Sequence, residues 1–250
     1  MKSPQPLGEG IKIYVSDNHH FTTDTILLAN FANAKTKDLC ADLGTGCGTI
    51  PLLFCRQNPP FRIDAVDIQQ EAIDLLKESI DMNTKNGMEN VKNIHPLLAD
   101  IKGLDNTLEK GKYTLITCNP PYTSDGAGIK PPKESKSTAH FETECTIDDI
   151  CRVSAKLLQF SGRLCLCQRP QRLSDIITSL KKYNLEPKRL RLVQGRSQKP
   201  PKLFLIEARL GANSGFLTVE PTLIVEKDDG SFSDEMLKIY GKYKEGYKDE

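Results

Sequence analysis

No apolar run in the 250-residue sequence approaches the ~20 residues that a membrane-spanning helix requires. The first ten residues are polar and hold Pro4 and Pro6. They lack the apolar stretch of a signal peptide, so the chain reads as cytoplasmic. No Cys-x-x-Cys pair occurs among the eight cysteines, which removes the usual zinc spacing, and no metal site is expected. Charge of one sign is not in excess: 34 basic and 33 acidic residues leave a formal net charge of +1. A bulk polycation is thereby excluded, and any affinity for nucleic acid must come from local patches. There are no internal repeats. Tryptophan is absent too, which excludes little.

What is present is ordinary globular composition: 38% apolar residues, 27% charged, 17 glycines and 15 prolines. Disorder, collagen and coiled coil are excluded for the chain as a whole. Most cysteines lie in apolar runs, as Cys40, Cys118, Cys165 and Cys167 do, and read as buried free thiols. A redox pair at Cys165 and Cys167 is the alternative.

Hydrophobic periodicity switches repeatedly between two and 3.6. Residues 11–15 alternate as a strand, and Thr22, Thr23 and Asp24 open an apolar helix over 26–34. Strands are expected at 38–43, 62–66, 91–99, 113–118 and 162–168, with a closing pair at 185–193 and 202–210. Helices are expected at 49–57, 69–86, 148–159 and 173–183, with a short one at 234–243. In the 69–86 helix Ala72, Leu75, Leu76, Ser79 and Ile80 share one face. This alternation predicts an α/β fold with a mainly parallel sheet. The expected organisation is an N-terminal capping segment over 1–35, a catalytic domain over 36–225 and a polar tail over 226–250.

Asp42-Leu43-Gly44-Thr45-Gly46-Cys47-Gly48 follows a strand and opens a helix, where α/β sheets meet their ligands. Glycines let backbone approach a ligand that a Cβ would obstruct. The spacing is G-x-G-x-G rather than the G-x-G-x-x-G of dinucleotide folds. A carboxylate two residues before the first glycine suits a cation, so Asp42 fits S-adenosylmethionine better than NAD. Asp67 ends the next strand, 23 residues beyond Gly44, where it can accept bonds from ribose hydroxyls. Asp100 ends the third strand and either bonds an adenine or caps the next helix.

Asn119-Pro120-Pro121-Tyr122 after the fourth strand is the most specific signal. Two prolines constrain the backbone and remove two N–H donors. The Asn119 amide oxygen and the Pro120 carbonyl can then converge on one planar amino group. Such a nitrogen is a poor nucleophile, and two acceptors polarise it while absorbing developing positive charge. Tyr122 offers a face for stacking an extruded base. The long loop over 119–144 brings Lys130, Lys133 and Lys136, with His140 and Glu142 near its end. These contact phosphates or are simply solvated. Residues 181–202 hold eight basic side chains against one acid, Glu186, and Lys188, Arg189 and Arg191 are taken as RNA contacts.

These elements resemble a class I S-adenosylmethionine-dependent methyltransferase of the small-domain type. More closely, they resemble the bacterial tRNA1(Val) adenine-N6 methyltransferase family. His20–Asp24, Leu27–Ala29, Asp42–Gly48, Asn119–Tyr122, Gly162–Leu164, Gln168–Pro170, Leu185–Arg189 and Leu223–Val225 carry the likeness. It implies a Rossmann-like, seven-stranded sheet with an antiparallel seventh strand. It implies S-adenosylmethionine held by Asp24, Asp42, Gly44, Thr45, Gly46, Gly48, Asp67, Ile68, Asp100, Ile101 and Asn119. Asn119, Pro120 and Tyr122 would carry the chemistry, with Pro121, Tyr122, the three loop lysines, Lys188, Arg189 and Arg191 on the substrate. The implied target is the adenosine 3′ of the anticodon of tRNA1(Val). Glutamine-N5 methylation of a protein, adenine methylation of rRNA or DNA, and a non-catalytic RNA-binding assembly factor are the alternatives.

Overall fold

A computed structural model describes residues 2–56, 59–120 and 145–241. Pro121, Tyr122, Lys130, Lys133, Lys136, His140 and Glu142, for which roles are expected from the sequence, lie outside the described residues. The main sheet is built from β3 (Leu39–Leu43), β4 (Arg62–Asp67), β5 (Ile94–Leu98), β6 (Tyr113–Cys118), β7 (Leu158–Gln168), β8 (Leu185–Gln194) and β9 (Leu203–Leu210). Across the sheet they run β8-β9-β7-β6-β3-β4-β5. β9 is antiparallel to both neighbours, and the other pairings among these seven are parallel. The expected seven-stranded arrangement is therefore present. Two two-residue strands, β10 (Thr218–Val219) and β11 (Leu223–Ile224), extend it by pairing parallel to β8.

Alternation along the strands sorts side chains into two cores, one per face. On β7, Cys165 and Cys167 face one core while Leu164 and Leu166 face the other. The first face receives α1 (Thr23–Ala32), α2 (Thr49–Phe54), α3 (Gln70–Lys85) and α6 (Asp234–Tyr240). The second receives α4 (Ile147–Leu157) and α5 (Leu173–Lys182). Thr146 and Asp149 close a capping box at the start of α4. All eight cysteines are buried free thiols.

The N-terminal segment forms a hairpin of β1 (Ser3–Gly8) and β2 (Ile11–Val15), separate from the main sheet. β2 borrows partners from α3. Asn83 receives the Lys12 N–H at 2.8 Å and donates to the Lys12 carbonyl at 2.6 Å, and Ser79 accepts the Tyr14 N–H at 2.9 Å. These polar residues on a helical core face satisfy backbone groups that an edge strand would leave open.

α1 is tied to the sheet by charge. Arg163 of β7 donates to the Ala32 carbonyl at 2.8 Å, and Arg189 of β8 donates to the Phe31 carbonyl while lying over the Phe31 ring. Both arginines pair with Glu207 of β9, which is 2% exposed. Cations at the last carbonyls of a helix complement its dipole.

That network bears on the basic segment. Residues 181–202 are basic in sequence, and several of them meet acids from elsewhere in the chain. Arg189 pairs with Glu207 and Glu220, and Arg191 with Glu235 at 2.7 Å. Lys188 donates to the carbonyls of Asn213 and Gly215 at 2.5 and 2.6 Å. Lys182 and Arg196 pair with Asp148 and Glu226. Lys188, Arg189 and Arg191 are half-buried and each has partners within the fold.

Candidate active site at the carboxyl edge of the sheet

β3 continues to β4 on one side while β6 lies on its other side, so the strand order reverses between β3 and β6. The carboxyl ends at such a reversal form a crevice between outgoing loops. Leu43–Gly44 leaves β3 there, and Asn119–Pro120 leaves β6.

The glycine turn is held from behind. The Gly44 and Thr45 N–H groups both donate to the Val66 carbonyl at 2.9 Å. Gly44, Gly46 and Gly48 have φ of 70°, 54° and 89°, the left-handed region that glycine tolerates best. At Gly48 a Cβ would collide with Leu76 Cδ1, so close packing on α3 also demands glycine. At Gly46 a Cβ would meet no protein atom within 4 Å, which leaves room beside this backbone for a ligand.

Asp67 links this turn to the next strand. One carboxylate oxygen accepts the Gly46 N–H at 2.8 Å and the other accepts the Gln69 N–H at 2.9 Å. Burial pushes its pKa up, and these amide bonds oppose that. A carboxylate has about four lone-pair sites, more than these amides occupy. The adjacent Ile68 is 39% exposed and offers an apolar face, whereas Ile101 is 4% exposed and belongs to the core. Asp100 caps the short 3₁₀ turn Ile101–Asn106 by accepting the Lys102 N–H at 2.9 Å, and its side chain is otherwise exposed. Asp24 stands in the first turn of α1, half-buried.

Asp42 is 2% exposed and accepts the Thr117 hydroxyl at 2.6 Å. Burial, with a smaller contribution from the nearby Asp67 charge, raises its pKa to about 6 against the opposing Thr117 bond. The Thr45 hydroxyl lies near enough to favour the charged form, yet it is buried without a partner at hydrogen-bond geometry. A buried carboxylate with no counter-ion among the described residues suits a cationic ligand.

The sign of this shift makes a prediction. A carboxyl group with a raised folded-state pKa favours the fold at low pH, and that contribution is lost as pH rises through the folded value. Asp42→Asn keeps an acceptor for Thr117 but removes the charge. The ligand-free variant should therefore be more stable than the parent near pH 7, by up to about 3 kcal/mol. The difference should shrink as pH falls below about 6 and be largely gone near pH 4. Urea unfolding between pH 4 and 7 measures it; a difference that stays constant with pH would contradict the buried, uncompensated charge.

Asn119 is half-buried and held at both ends. Its Nδ2 donates to Thr25 Oγ1 of α1 at 3.1 Å, and its Oδ1 accepts from Cys167 Sγ of β7 at 2.9 Å. Pro120 is buried. The geometry thus brings Asp42, the glycine turn, Asp67, Ile68 and Asn119 to one edge, while Lys188, Arg189 and Arg191 stand elsewhere with partners of their own.

Sequence reasoning missed several neighbours. Thr25, Thr117 and Cys167 look like ordinary helix and strand residues, and only the β3-β6-β7 order reveals what they touch. His19 is 8% exposed in the β2–α1 connection, its Nε2 has no hydrogen-bond partner among the described residues, and Glu71 lies 3.9 Å away. Its proximity lowers the pKa of Asp67. The His19-His20 pair was the one available signal.

The site can be set beside known proteins. The chain is 29% identical over 191 residues to a tRNA1(Val) (adenine(37)-N6)-methyltransferase of Parabacteroides distasonis, covering 74% of each chain. A protein of the same name from Porphyromonas gingivalis is 27% identical over 229 residues, covering 87% of this chain and 85% of the other. Among solved structures, a predicted O-methyltransferase from Agrobacterium tumefaciens superposes with a TM-score of 0.71 at 19% identity, over 87% of this chain and 95% of its own. TYW2 of M. jannaschii in complex with AdoMet gives 0.56 at 13% identity, over 83% and 85%. The model of the methyltransferase small domain matches residues 15–180, which takes in the glycine turn, Asp67 and the Asn119–Pro120 corner together. The chain therefore belongs to the methyltransferase small domain family.

Proposed function

We propose that the protein transfers a methyl group from S-adenosylmethionine to the exocyclic N6 of an adenine in tRNA, the adenosine 3′ of the anticodon in tRNA1(Val). The observation that carries this reading is the juxtaposition at the strand reversal. Asn119 and Pro120 leave β6 beside the turn that leaves β3 with Asp42 and the glycines. The names of the relatives point to the same substrate.

When bound, the cofactor supplies a methyl group on a positive sulfonium. The residues present suit it: Asp42 for positive charge, Asp67 for ribose hydroxyls, Ile68 for an adenine face, and the open flank of Gly46 for close approach. Asn119 Oδ1 has two lone pairs, one of which Cys167 occupies. In this reading the same oxygen is the acceptor for the target amino group. With the Pro120 carbonyl it favours the nitrogen as conjugation with the ring is lost and positive charge develops. The leaving proton needs no strong base, because the methylated nitrogen is acidic. Tyr122 stacks the base in this reading.

The direct test is incubation with unmodified tRNA1(Val) and isotopically labelled cofactor, followed by nucleoside mass spectrometry. Label in N6-methyladenosine at the position 3′ of the anticodon is the expected product. Label in N6-methyladenosine of rRNA or DNA alone, or in protein glutamine, would replace the tRNA assignment.

RNA backbone contact falls instead to the turn between β8 and β9. β8 runs parallel to β7, so residues 195–202 lie at the same carboxyl edge as Asn119. Three strand spacings place them roughly 14 Å along the sheet from β6. Lys199 and Lys202 are exposed there and have no acid within 4 Å among the described residues. Replacing both with Glu should weaken tRNA binding and reduce the slope of log affinity against log salt by about 1–2. Cofactor affinity should not move. A parental salt slope in filter binding would show that this turn does not meet the backbone.

A further inference from the structure

The orientation of the Asn119 amide bears on catalysis only under the methyl-transfer reading, and the present inference rests on that reading. The oxygen of the amide, and not its nitrogen, must meet the target amino group. Nothing in an asparagine side chain enforces that. Its terminal torsion is broad and nearly two-fold, so a half-turn exchanges Oδ1 for Nδ2 at little local cost. A flipped amide presents donors to a donor, and the polarising contact is lost.

The structure holds a chain of groups that selects one orientation. Cys167 Sγ donates to Asn119 Oδ1 at 2.9 Å, and Asn119 Nδ2 donates to Thr25 Oγ1 at 3.1 Å. Thr25 Oγ1 in turn lies 3.4 Å from Thr22 Oγ1, which leaves its own proton an acceptor. Every link then runs the same way, from β7 through the loop after β6 to the first turn of α1. The reverse arrangement would set an amide N–H against a thiol sulfur, a weak acceptor. Cys167 is fully buried on the face where α1 packs, so it approaches the amide from the interior.

We propose that Thr25 and Cys167 are positioning residues for methyl transfer, acting as a two-point clamp that keeps the Asn119 carbonyl oxygen toward the substrate amino group. Neither is required to touch substrate. The clamp also makes the orientation of Asn119 depend on the docking of α1 against β7.

The test is single-turnover methylation of unmodified tRNA by the full chain, with cofactor and tRNA affinities measured alongside. Thr25→Val is nearly isosteric and removes the acceptor; Cys167→Ala removes the donor. Each should slow the methylation step about tenfold, the order expected for losing one oriented hydrogen bond, with both affinities within about twofold of the parent. Thr25→Ser and Cys167→Ser keep the hydrogen-bonding group and should recover most of the rate. In an Asn119→Ala background Thr25→Val should add nothing further, since its only route to the chemistry is gone. A merely structural role predicts additivity, and it predicts that the serine variants fall with the others as the thermal midpoint falls. Either result overturns the clamp. Parental rates in Thr25→Val and Cys167→Ala beside a slow Asn119→Ala would also overturn it, while leaving the amino-group reading intact. A parental rate in Asn119→Ala would remove that reading itself.

Discussion

Asn119→Ala is expected to slow single-turnover methyl transfer by about 10²–10³-fold, the usual consequence of removing one preorganised group that acts on developing charge. The effect should be concentrated in the chemical step. The amide oxygen gains most when the target nitrogen leaves conjugation, so its bond strengthens between ground state and transition state. Affinity for tRNA should change far less, because one neutral hydrogen bond is a small part of a polyanion's binding. The fold should also tolerate the change. Asn119 is half-buried at a strand end, and its partners Thr25 and Cys167 lose one bond each. Asn119→Asp is a useful companion. It keeps an oxygen toward Cys167 but sets a carboxylate where Thr25 now accepts a donor. Rapid-quench kinetics with labelled cofactor decides the matter, and a parental rate in Asn119→Ala would end the amino-group mechanism.

Asp67→Ala is expected to weaken cofactor binding by about 10²-fold, from the loss of charge-assisted bonds to the ribose. The structure adds a complication absent from the sequence. The same carboxylate receives the N–H groups of Gly46 and Gln69, so its removal also loosens the glycine turn. Titration calorimetry with S-adenosylhomocysteine and a 2′-deoxyadenosyl analogue separates the two. If Asp67 meets the ribose, the parent distinguishes the pair and the variant does not. If both proteins distinguish them equally, Asp67 serves the turn alone.

The order of the main strands was legible because each carries an apolar run closed by a turn or an acid, as in Arg62–Asp67 and Tyr113–Cys118. The strand expected over 91–99 is shorter than its apolar pattern, since Glu89–Asn93 winds into a 3₁₀ turn that buries Val91. β1 was hidden by Pro4 and Pro6, which suit a hairpin edge but argue against a central strand. β10 and β11, two residues each, carry no periodicity. Within the site, Asp42, Gly44, Gly46, Asp67 and Asn119 were visible because their chemistry is local to a turn or strand end. Thr117, Thr25 and Cys167 were not, for their significance lies in contacts spanning 48–94 residues of sequence. The partners of the basic segment were hidden for the same reason. Glu207, Glu220 and Glu235, which neutralise Arg189 and Arg191, are distant in sequence and adjacent in space.

The arginine pair that holds the end of α1 has a consequence for how the protein can change. α1 has ten residues and is about 15 Å long, a rigid rod with Phe31 and Ala32 at one end and Thr25 near the other. A small rotation admitted at Arg163, Arg189 or Glu207 is delivered at Thr25 as a displacement of the group that meets Asn119. Under the clamp, selection for methylation would bear on Arg163, Arg189 and Glu207 through their hold on the end of α1. Drift at this ion cluster would register first as lost turnover in a protein that still folds, and compensation would be sought on the opposite end of a helix.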